Sequence, residues 1–311
     1  MLGAGVIAGE LAHAIRLAEG ARLVAAASSD PARASALQPD RAYGSYEQLL
    51  ADRSVTAVYI ATRTADHAAW VGAALDAGKH VLAEKPLAVD AVDVTALQAA
   101  AEARGLLLVE AMWWRWHPRT AAATALLRDG AVGRVRHVAA GFTFAGGAGW
   151  RLGAPAQGGG ALLDVGCYAV SGALWAVGAA PSAVAARTVR RSAAGGDLAT
   201  EVLLDWSDGT TAELRCAMDE PPGQWLVVTG DRGAIELSTP WTSREWAPCE
   251  LAVSDGTGTR RVAYPPVPTY RSMVEEVSAA LTAGRPALVT PAESLAVATV
   301  LGWARDAADR G

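Results

Sequence analysis

The chain contains few cysteines and no excess of positive charge. Only three cysteines occur among 311 residues, and their positions (Cys167, Cys216 and Cys249) leave no CxxC pair. This usage argues against a disulfide framework or a zinc site and is typical of a reducing compartment. The formal net charge is −5. Because phosphate binding needs concentrated Lys and Arg, nucleic acid is not expected as the main partner.

Long hydrophobic runs without a polar interruption are also missing. Residues 159–180 are numerous enough to cross a bilayer, but Asp164 and several glycines interrupt them, which predicts a buried helix. The first apolar residues lead straight into a glycine-rich turn, so no signal peptide is expected. With 51% hydrophobic and 19% charged residues, the chain has enough apolar material for two folded domains. We expect a cytoplasmic protein with no membrane partner and no metal.

The pattern of the chain changes near residue 117. Up to that point helical segments alternate with short apolar runs at residues 23–27, 55–61, 80–83 and 106–109. Such runs are typical of strands buried on both faces of a parallel sheet. Beyond residue 117 several strands follow one another with tight turns, which favours antiparallel pairing. The sequence predicts a Rossmann doubly wound domain over 1–117 and an α+β domain with an open, mostly antiparallel sheet over 118–311. The last helix, 291–309, is a candidate to pack back on the first domain.

A G-x-G-x-x-A fingerprint stands at Gly3-Ala4-Gly5-Val6-Ile7-Ala8. Its first Gly makes a tight turn, its second lets a pyrophosphate approach the backbone, and the small last residue brings the helix close to the sheet. A helix follows, and the next strand ends at the expected distance, which favours dinucleotide binding by Gly3, Gly5, Val6 and Ile7. Since only two residues precede the loop, the central strand is expected to be a stub unless the start codon lies upstream.

The end of the second predicted strand indicates which dinucleotide is bound. An NAD enzyme usually places Asp or Glu there to bind both ribose hydroxyls, whereas this chain has Ser28 and Ser29, with Arg33 one turn further on. Small hydroxyls and a cation suit a 2′-phosphate, which favours NADP over NAD. Asp30 is close enough to bind the ribose instead, although its place before Pro31 favours capping of the next helix.

Two further segments carry chemically active side chains. Glu84-Lys85-Pro86 follows a buried strand at the carboxyl edge of the predicted sheet, where ligands of open α/β sheets bind. Asp164 and Tyr168 are four residues apart in a predicted helix and so share one face. An Asp in an otherwise apolar helix needs a partner or a function. We expect Lys85 to lie in the interdomain cleft, within hydrogen-bond reach of Asp164, Tyr168 or a substrate between them.

Together these segments resemble the glucose–fructose oxidoreductase/inositol dehydrogenase/MocA (Gfo/Idh/MocA) family over essentially the whole chain. The motifs, in family order, are GAGVIA, AEKPLA, EAMWWRWHP, GWRL and GGGALLDVGCYAV. Tyr rather than His at position 168 resembles the branch with glucose–fructose oxidoreductase, NADP-dependent xylose dehydrogenase and dimeric dihydrodiol dehydrogenase. The resemblance implies an NADP- or NAD-dependent dehydrogenase in which Lys85 and Tyr168 carry catalysis and Asp164 assists. It also implies a cis peptide bond between Lys85 and Pro86.

The resemblance implies further cofactor and substrate contacts. The cofactor-binding set is completed by Thr62, Thr64, His67, Glu84, Lys85, Trp150 and Arg151. For His67, a helix-end His satisfied by backbone is an equal alternative. Arg63-Thr64 replaces a family Pro-Asn, and Gly153 replaces a family Asp, so nicotinamide contacts and substrate identity transfer less directly. Arg115 and His117 are candidate substrate residues, while the tryptophans beside them are more typical of core.

The chemistry of an alcohol agrees with this assignment. Its oxidation removes the hydroxyl proton as a hydride leaves, and a tyrosine with a pKa of about 10 needs a nearby ammonium group to act as the base. The sequence therefore predicts hydride transfer between nicotinamide and a hydroxyl or carbonyl carbon of a sugar or polyol. One alternative is a non-sugar trans-diol or carbonyl substrate. Another is an NADP-binding regulator without catalysis, which the presence of Lys85 and Tyr168 disfavours.

The second predicted domain has more strands than its helices can cover. Val202, Leu204 and Trp206 alternate with Glu201, Leu203 and Asp205. One face of the sheet is therefore expected to be uncovered, and apolar residues on it favour association. Members of the resembled family commonly pair through this sheet, and two-fold pairing is the commonest symmetric solution. We expect a homodimer, or a dimer of dimers, that buries this face.

Overall fold

The structure is a computed structural model and describes residues 1–146, 158–242 and 248–310. Contacts divide it into two compact units. The first comprises Met1–Trp113 and Pro268–Leu295, and the second Trp114–Val267 and Ala296–Gly311. Across the described ranges, none of the helices combines the length and the apolar composition that a membrane crossing needs.

Helices and strands alternate in the first third of the chain, and strands dominate the remainder. The helices are α1 (Val6–Leu17), α2 (Pro31–Ala36), α3 (Tyr46–Ala51), α4 (His67–Asp76), α5 (Ala91–Ala103), α6 (Pro118–Arg128), α7 (Cys167–Val177), α8 (Thr269–Ala283) and α9 (Pro291–Arg310). The strands are β1 (Ala25–Ala27), β2 (Arg41–Tyr43), β3 (Ala57–Ile60), β4 (His80–Ala83), β5 (Leu108–Glu110), β6 (Val135–Ala145), β7 (Ala183–Arg191), β8 (Asp197–Asp205), β9 (Thr211–Ala217), β10 (Asp219–Gly230), β11 (Gly233–Ser238), β12 (Cys249–Asp255) and β13 (Gly258–Tyr264). The predicted change of pattern near residue 117 is thus a change of architecture.

A parallel sheet forms the centre of the first unit. β1 pairs with β2, and β4 pairs with both β3 and β5. Leu2 joins the two groups, since it bridges Ala27 on one side and Ile60 on the other. The order is therefore β2-β1-Leu2-β3-β4-β5, which is that of a Rossmann dinucleotide-binding sheet. The expected stub of a central strand is confirmed.

Burial explains why most of these strands are visible in the sequence. β1 and β5 are buried throughout, and β3 and β4 are buried except at their first residue. Strands covered on both faces are continuously apolar rather than alternating. β2 is short and mostly exposed. Its residues do not form an apolar run, so the sequence did not predict this strand.

An eight-stranded sheet forms the centre of the second unit. Its order is β13-β12-β11-β10-β6-β9-β8-β7. The hairpins β7–β8, β8–β9 and β10–β11 are antiparallel as predicted. β6 and β9, however, pair in parallel. The chain passes from β6 through α7 to β7 at the edge of the sheet, and β8 and β9 then fill the positions between β7 and β6. β12 and β13 were not predicted; β13 is largely exposed at the sheet edge, so its residues carry little apolar signal.

The two faces of this sheet differ as the alternation in β8 predicted. Val202, Leu204 and Trp206 are buried, on the face against which α7 packs. Leu203 on the opposite face is 49% exposed. That face also bears an ion-pair network across β7 to β10, formed by Arg187, Glu201, Arg215, Glu220, Arg190 and Asp219. In the described chain it is therefore a mixed apolar and charged surface.

Candidate active site

The glycine loop of residues 3–5 connects the central stub to α1. Gly3 has a φ of +96°, and a Cβ there would lie 2.9 Å from the carbonyl carbon of Ala61 and overlap its oxygen. At Gly5, by contrast, no atom lies within 4 Å of the place of a Cβ. The loop is closed towards the sheet and open on its other side. This is the shape that a pyrophosphate approaching the backbone requires.

Helix α1 begins at a glycine. Its N-cap, Gly5, provides no side-chain hydrogen bond, and the apolar Val6 that follows is 83% exposed, while Ile7 is half-buried. Amides of a first turn have no partner within the helix, and the helix dipole makes this end positive. The loop and the helix start together fit the phosphates of a dinucleotide.

The residues after β1 divide into one buried hydroxyl, one exposed hydroxyl and a cap. Ser28 is buried, and its hydroxyl accepts a hydrogen bond from the Asp30 amide at 3.2 Å. Ser29 is exposed. The Asp30 carboxylate accepts from the Ala32 amide at 2.9 Å and caps α2. The capping role predicted for Asp30 from its place before Pro31 is confirmed.

The side chain of Arg33, on α2, extends to the glycine loop. Its guanidinium donates to the carbonyl oxygen of Ala4 at 2.9 Å. A cation therefore lies beside the loop, while the Asp30 carboxylate, in the segment after β1, accepts from the Ala32 amide. This combination suits the binding of a phosphate better than that of a ribose diol.

His67 links two loops at the carboxyl edge of the sheet. It is buried, with Nδ1 2.9 Å from the carbonyl oxygen of Pro86 and Nε2 3.3 Å from that of Thr62. Burial is the main cause that lowers the pKa of His67, so the ring is neutral and donates through one nitrogen. Thr64 is buried beside it and Thr62 is half-buried. The structure gives His67 the backbone contacts of the alternative interpretation, and its contact with a cofactor stays a prediction.

The Glu84-Lys85-Pro86 turn follows β4 directly. Its Lys85–Pro86 peptide bond is cis, as predicted. Glu84 is buried and accepts a short hydrogen bond from the Tyr59 hydroxyl, and its other oxygen accepts from the Lys85 amide at 3.2 Å. Lys85 is half-buried. The Glu84 carboxylate thus holds the turn that presents Lys85 at the carboxyl edge of the sheet.

Glu110, at the end of β5, was not among the predicted site residues. It is 2% exposed, accepts from the Leu87 amide at 3.0 Å and is hydrogen-bonded to Ser294. Burial raises the pKa of Glu110 to about 7, and these two hydrogen bonds oppose the shift. The sequence does contain a signal for Glu110: it is a carboxylate at the end of an apolar strand, at the sheet edge that also carries Lys85.

In the second unit, Asp164 and Tyr168 do not lie in one regular α-helix. Asp164 belongs to a π-helical turn at Leu162–Gly166, and Tyr168 to the first turn of α7. The predicted regular helix is corrected, because a π-helical turn with i→i+5 bonding precedes α7, and the shared face of the two side chains stays a prediction. Tyr168 is buried, its ring 6.0 Å from Trp241 and 5.7 Å from Phe142. Trp150, Arg151 and Gly153 lie outside the described residues.

The tryptophan-rich segment after β5 is core. Trp113, Trp114 and Trp116 are all buried, and within the first unit Trp113 stacks on Tyr270 at 4.9 Å. Arg115 is half-buried, and its guanidinium carbon lies 5.7 Å from the centre of the Trp114 ring. These contacts favour the packing interpretation of the segment, and substrate binding by Arg115 stays a prediction.

His117 caps α6. Its Nδ1 accepts from the Arg119 amide at 3.0 Å, and its Nε2 lies 3.5 Å from the Cys249 sulfur. Burial, with the charge of Arg119, lowers the pKa of His117 to about 4, so the ring is neutral near pH 7. Both ring nitrogens are engaged inside the second unit, and substrate binding by His117 stays a prediction.

Comparison with known sequences identifies two matching family models. Residues 1–111 match the oxidoreductase family with NAD-binding Rossmann fold, and residues 120–236 match the GFO/IDH/MocA C-terminal domain. The chain is 35% identical over 294 residues to D-xylose 1-dehydrogenase (NADP(+)) 2 of Haloferax volcanii, which covers 92% of this chain and 90% of that protein. It is also 35% identical over 265 residues to trans-1,2-dihydrobenzene-1,2-diol dehydrogenase of Oryctolagus cuniculus, with coverage of 82% and 78%.

Solved structures agree with the sequence matches. A 3-ketoreductase from Actinomadura kijaniata, in complex with NADP and TDP-benzene, matches with a TM-score of 0.91 and 27% identity over 98% of this chain and 96% of that one. An aldose–aldose oxidoreductase from Caulobacter crescentus matches with a TM-score of 0.87 and 26% identity over 97% and 93%. The glycine loop, the order of the parallel sheet and these matches lead to one conclusion: the chain belongs to the GFO/IDH/MocA family of NAD(P)-binding oxidoreductases.

Proposed function

We propose that this protein is an NADP-dependent dehydrogenase or reductase acting on a hydroxyl or carbonyl carbon of a sugar or polyol. The observation that carries this proposal is the carboxyl edge of the parallel sheet. There an open glycine loop, the guanidinium of Arg33 and the turn bearing Lys85 follow strands of a single sheet. Ligands of open α/β sheets bind at such an edge.

The residues at this edge fit a dinucleotide that carries a 2′-phosphate. The backbone at Gly3, Gly5 and Val6 would hold the pyrophosphate, and Ser29 with Arg33 would hold the 2′-phosphate. The xylose dehydrogenase relative is named for NADP, which supports this preference. When bound, the nicotinamide ring supplies the hydride acceptor or donor. Thr62, Thr64 and Trp150-Arg151 are the proposed contacts around that ring.

The proton chemistry belongs to the chain's own side chains. Tyr168 accepts the proton of the substrate hydroxyl during oxidation and returns it during reduction. The Lys85 ammonium stabilises the tyrosinate, because a nearby positive charge favours the ionised form of an acid. Asp164 binds a substrate hydroxyl or holds Lys85. We assign dinucleotide binding to residues 1–117 and substrate binding to residues 118–311.

A trans-diol or carbonyl substrate without a sugar ring is the second candidate. Tyr168 lies among aromatic side chains, with Phe142 and Trp241 next to its ring. Such surroundings favour a flat, apolar substrate as readily as a sugar face. A relative named trans-1,2-dihydrobenzene-1,2-diol dehydrogenase supports this alternative.

The test is reduction of NADP⁺ and of NAD⁺, followed by absorbance, against a panel of aldoses, inositols and trans-diols. We expect turnover with at least one aldose or polyol and a lower KM for NADP⁺ than for NAD⁺. Turnover confined to trans-diols would establish the second candidate. A protein that binds NADPH yet oxidises and reduces nothing would be a regulator instead.

Arg33→Ala tests how the dinucleotide is chosen. Loss of a cation beside a phosphate weakens a charge-assisted contact, so we expect KM for NADP⁺ to rise about tenfold, the equivalent of about 1.4 kcal/mol. KM for NAD⁺ should remain the same, since NAD has no 2′-phosphate. Clearly tighter use of NAD⁺ by the unchanged protein would mean that Asp30 contacts the ribose.

We also propose a cytoplasmic homodimer, or a dimer of dimers. The three cysteines are buried and free, which is usual for proteins of reducing compartments. The exposed Leu203 and its neighbours on the open sheet face support association through that face. The pairing is two-fold, the commonest symmetry of soluble oligomers.

A further inference from the structure

Asp197, the first residue of β8, lies against the start of the helical segment that carries Asp164 and Tyr168. Its Oδ2 accepts from the Leu162 amide at 2.8 Å and from the Thr200 hydroxyl at 2.9 Å. Leu162 opens the π-helical turn, so this carboxylate satisfies one of the amides that a helix start leaves without a partner. Nothing in the local sequence marks Asp197 for this contact, because it lies 35 residues further along the chain.

Gly160 is shaped to receive the other oxygen of Asp197. It has a φ of +123°, and a Cβ there would lie 3.1 Å from the Asp197 carboxyl carbon and overlap Oδ1. The carbonyl oxygen of Gly160 in turn accepts from the Asp164 amide at 3.0 Å. The Asp197 carboxylate thus contacts both Gly160, which accepts from the Asp164 amide, and Leu162, the first residue of the π-helical turn.

We propose that Asp197 is a positioning residue, which sets the geometry of the Leu162–Gly166 turn and through it the placement of Asp164 and Tyr168. The proposal rests on the role that the proposed function gives to Tyr168. A carboxylate at a helix start stabilises the first turn through its amides and its dipole. Displacement of a reacting group by about 1 Å costs up to about a hundredfold in rate, so an anchor at the start of this segment affects turnover.

The main variant is Asp197→Ala, with Asp197→Asn as the conservative replacement. Asn keeps an oxygen that accepts from the Leu162 amide. We expect Asp197→Ala to lower kcat about tenfold or more and Asp197→Asn to recover most of it. The NADPH dissociation constant, measured by fluorescence, should not change, since the residues proposed to hold the pyrophosphate and the 2′-phosphate lie in the first unit. Equal kcat in Asp197→Ala and the unchanged protein overturns the proposal.

Asp208→Ala is the matched control. Asp208 stands in the turn after β8, and its carboxylate likewise accepts from a backbone amide, that of Thr210, at 3.0 Å. We expect its kcat to equal that of the unchanged protein. A loss there as large as in Asp197→Ala would mean that any weakened turn of this sheet lowers kcat, and would overturn the specific role of Asp197.

A second test separates positioning from general stability. If Asp197 acts through Tyr168, then Asp197→Ala added to Tyr168→Phe lowers kcat no further, since residues that act as a unit are not additive. An independent, multiplied loss overturns the proposal. Should Asp197→Ala fail to fold by circular dichroism, Thr200→Val, which removes a donor to the Asp197 carboxylate, takes its place in the same cycle.

Amide hydrogen exchange keeps this inference distinct from the proposed function. Asp197→Ala should lose protection at Leu162 and Asp164 while the amides of α1 keep theirs. Unchanged protection at Leu162 and Asp164 overturns the anchor itself, whatever the enzyme acts on. An unchanged protein that turns over none of the panel substrates contradicts the proposed function alone, and the exchange result still decides the anchor.

Discussion

Two buried acidic side chains support the turn that presents Lys85. Glu84 accepts from the Tyr59 hydroxyl and the Lys85 amide, and Glu110 accepts from the Leu87 amide. Removal of either carboxylate would leave a buried donor without its partner, which costs about 1–3 kcal/mol. The placement of Lys85 therefore depends on residues behind the turn as well as on the turn itself.

Glu110 makes the stability of the protein depend on pH. Burial raises the pKa of Glu110 from 4.5 to about 7, so the folded chain keeps this proton over a range in which the unfolded chain has lost it. The contribution of Glu110 to the free energy of unfolding therefore falls as pH rises from 4.5 to 7 and is level outside that range. This fall amounts to up to about 3 kcal/mol. We expect it to be absent in Glu110→Gln, because Gln does not titrate and its oxygen still accepts from the Leu87 amide.

Urea unfolding at pH 5 and pH 8 measures the effect. From pH 5 to pH 8, the free energy of unfolding should fall less in Glu110→Gln than in the unchanged protein. Glu47→Gln, on the exposed face of α3, is the control and should follow the unchanged protein. Parallel pH curves for Glu110→Gln and the unchanged protein would contradict the raised pKa.

Lys85→Ala should lower kcat by at least about a hundredfold, as expected when a positioned proton-transfer partner is lost. Steady-state reduction of NADP⁺ with the best panel substrate provides the measurement. Tyr168→Phe should give a loss of similar size, because both residues are assigned to the same proton transfer. Turnover near the original rate in Lys85→Ala would remove Lys85 from the catalytic set.

At the scale of elements, the helix starts differ in what completes them. α2 is capped by the Asp30 carboxylate and α6 by the His117 ring. α1 has no side-chain cap from its N-cap residue, Gly5. A ligand phosphate can complete an uncapped start as a side chain completes the others. Helices α4, α5, α7 and α8 also start without a side-chain cap, so it is the open glycine loop before α1 that favours this helix for the dinucleotide.

The two glycines of the loop before α1 should respond differently to alanine. Gly3→Ala forces a Cβ against Ala61 at a φ that only Gly adopts readily, so we expect a lower melting temperature. Gly5→Ala meets no neighbouring atom and should melt normally but bind NADPH about tenfold more weakly or worse, since the ligand approaches there. Thermal melts and NADPH fluorescence titrations distinguish them. Equal losses of stability in the two variants would contradict this division.

At the scale of the whole molecule, the proposed homodimer depends on the open face of the second sheet. One of its faces is covered by α7, and the other carries Leu203 among charged side chains. Isolated apolar residues are ordinary on a surface, but a broad open sheet face that includes them favours association. The charged network on the same face adds polar contacts that would fix the orientation of a partner.

Light scattering tests the assembly. We expect a mass of at least twice 32.0 kDa at micromolar concentration, and a shift towards the single-chain mass for Leu203→Glu, which places a charge on the open face. Leu288→Glu, at a similarly exposed apolar position in the first unit, should leave the mass unchanged. The single-chain mass for the unchanged protein would rule out the dimer.

Local patterns in the sequence were sufficient for much of the fold and of the site. The glycine loop, the Asp30 cap, the alternation in β8 and the position of Lys85 after β4 each depend on residues within a few positions of one another. Periodicity and capping express short-range sterics and hydrogen bonding, so they can be read from a single segment. By itself, the sequence determined the two architectures and the nucleotide-binding edge.

Tertiary structure alone decided the features that join distant segments. The parallel pairing of β6 with β9, the buried environment of Glu110 and the contact of Asp197 with Gly160 each depend on residues far apart in the chain. No local pattern encodes such a pairing, because strand order and the burial of a charge follow from how the whole chain packs. The π-helical turn beneath Tyr168 belongs with them, since it starts where a carboxylate from β8 meets Leu162.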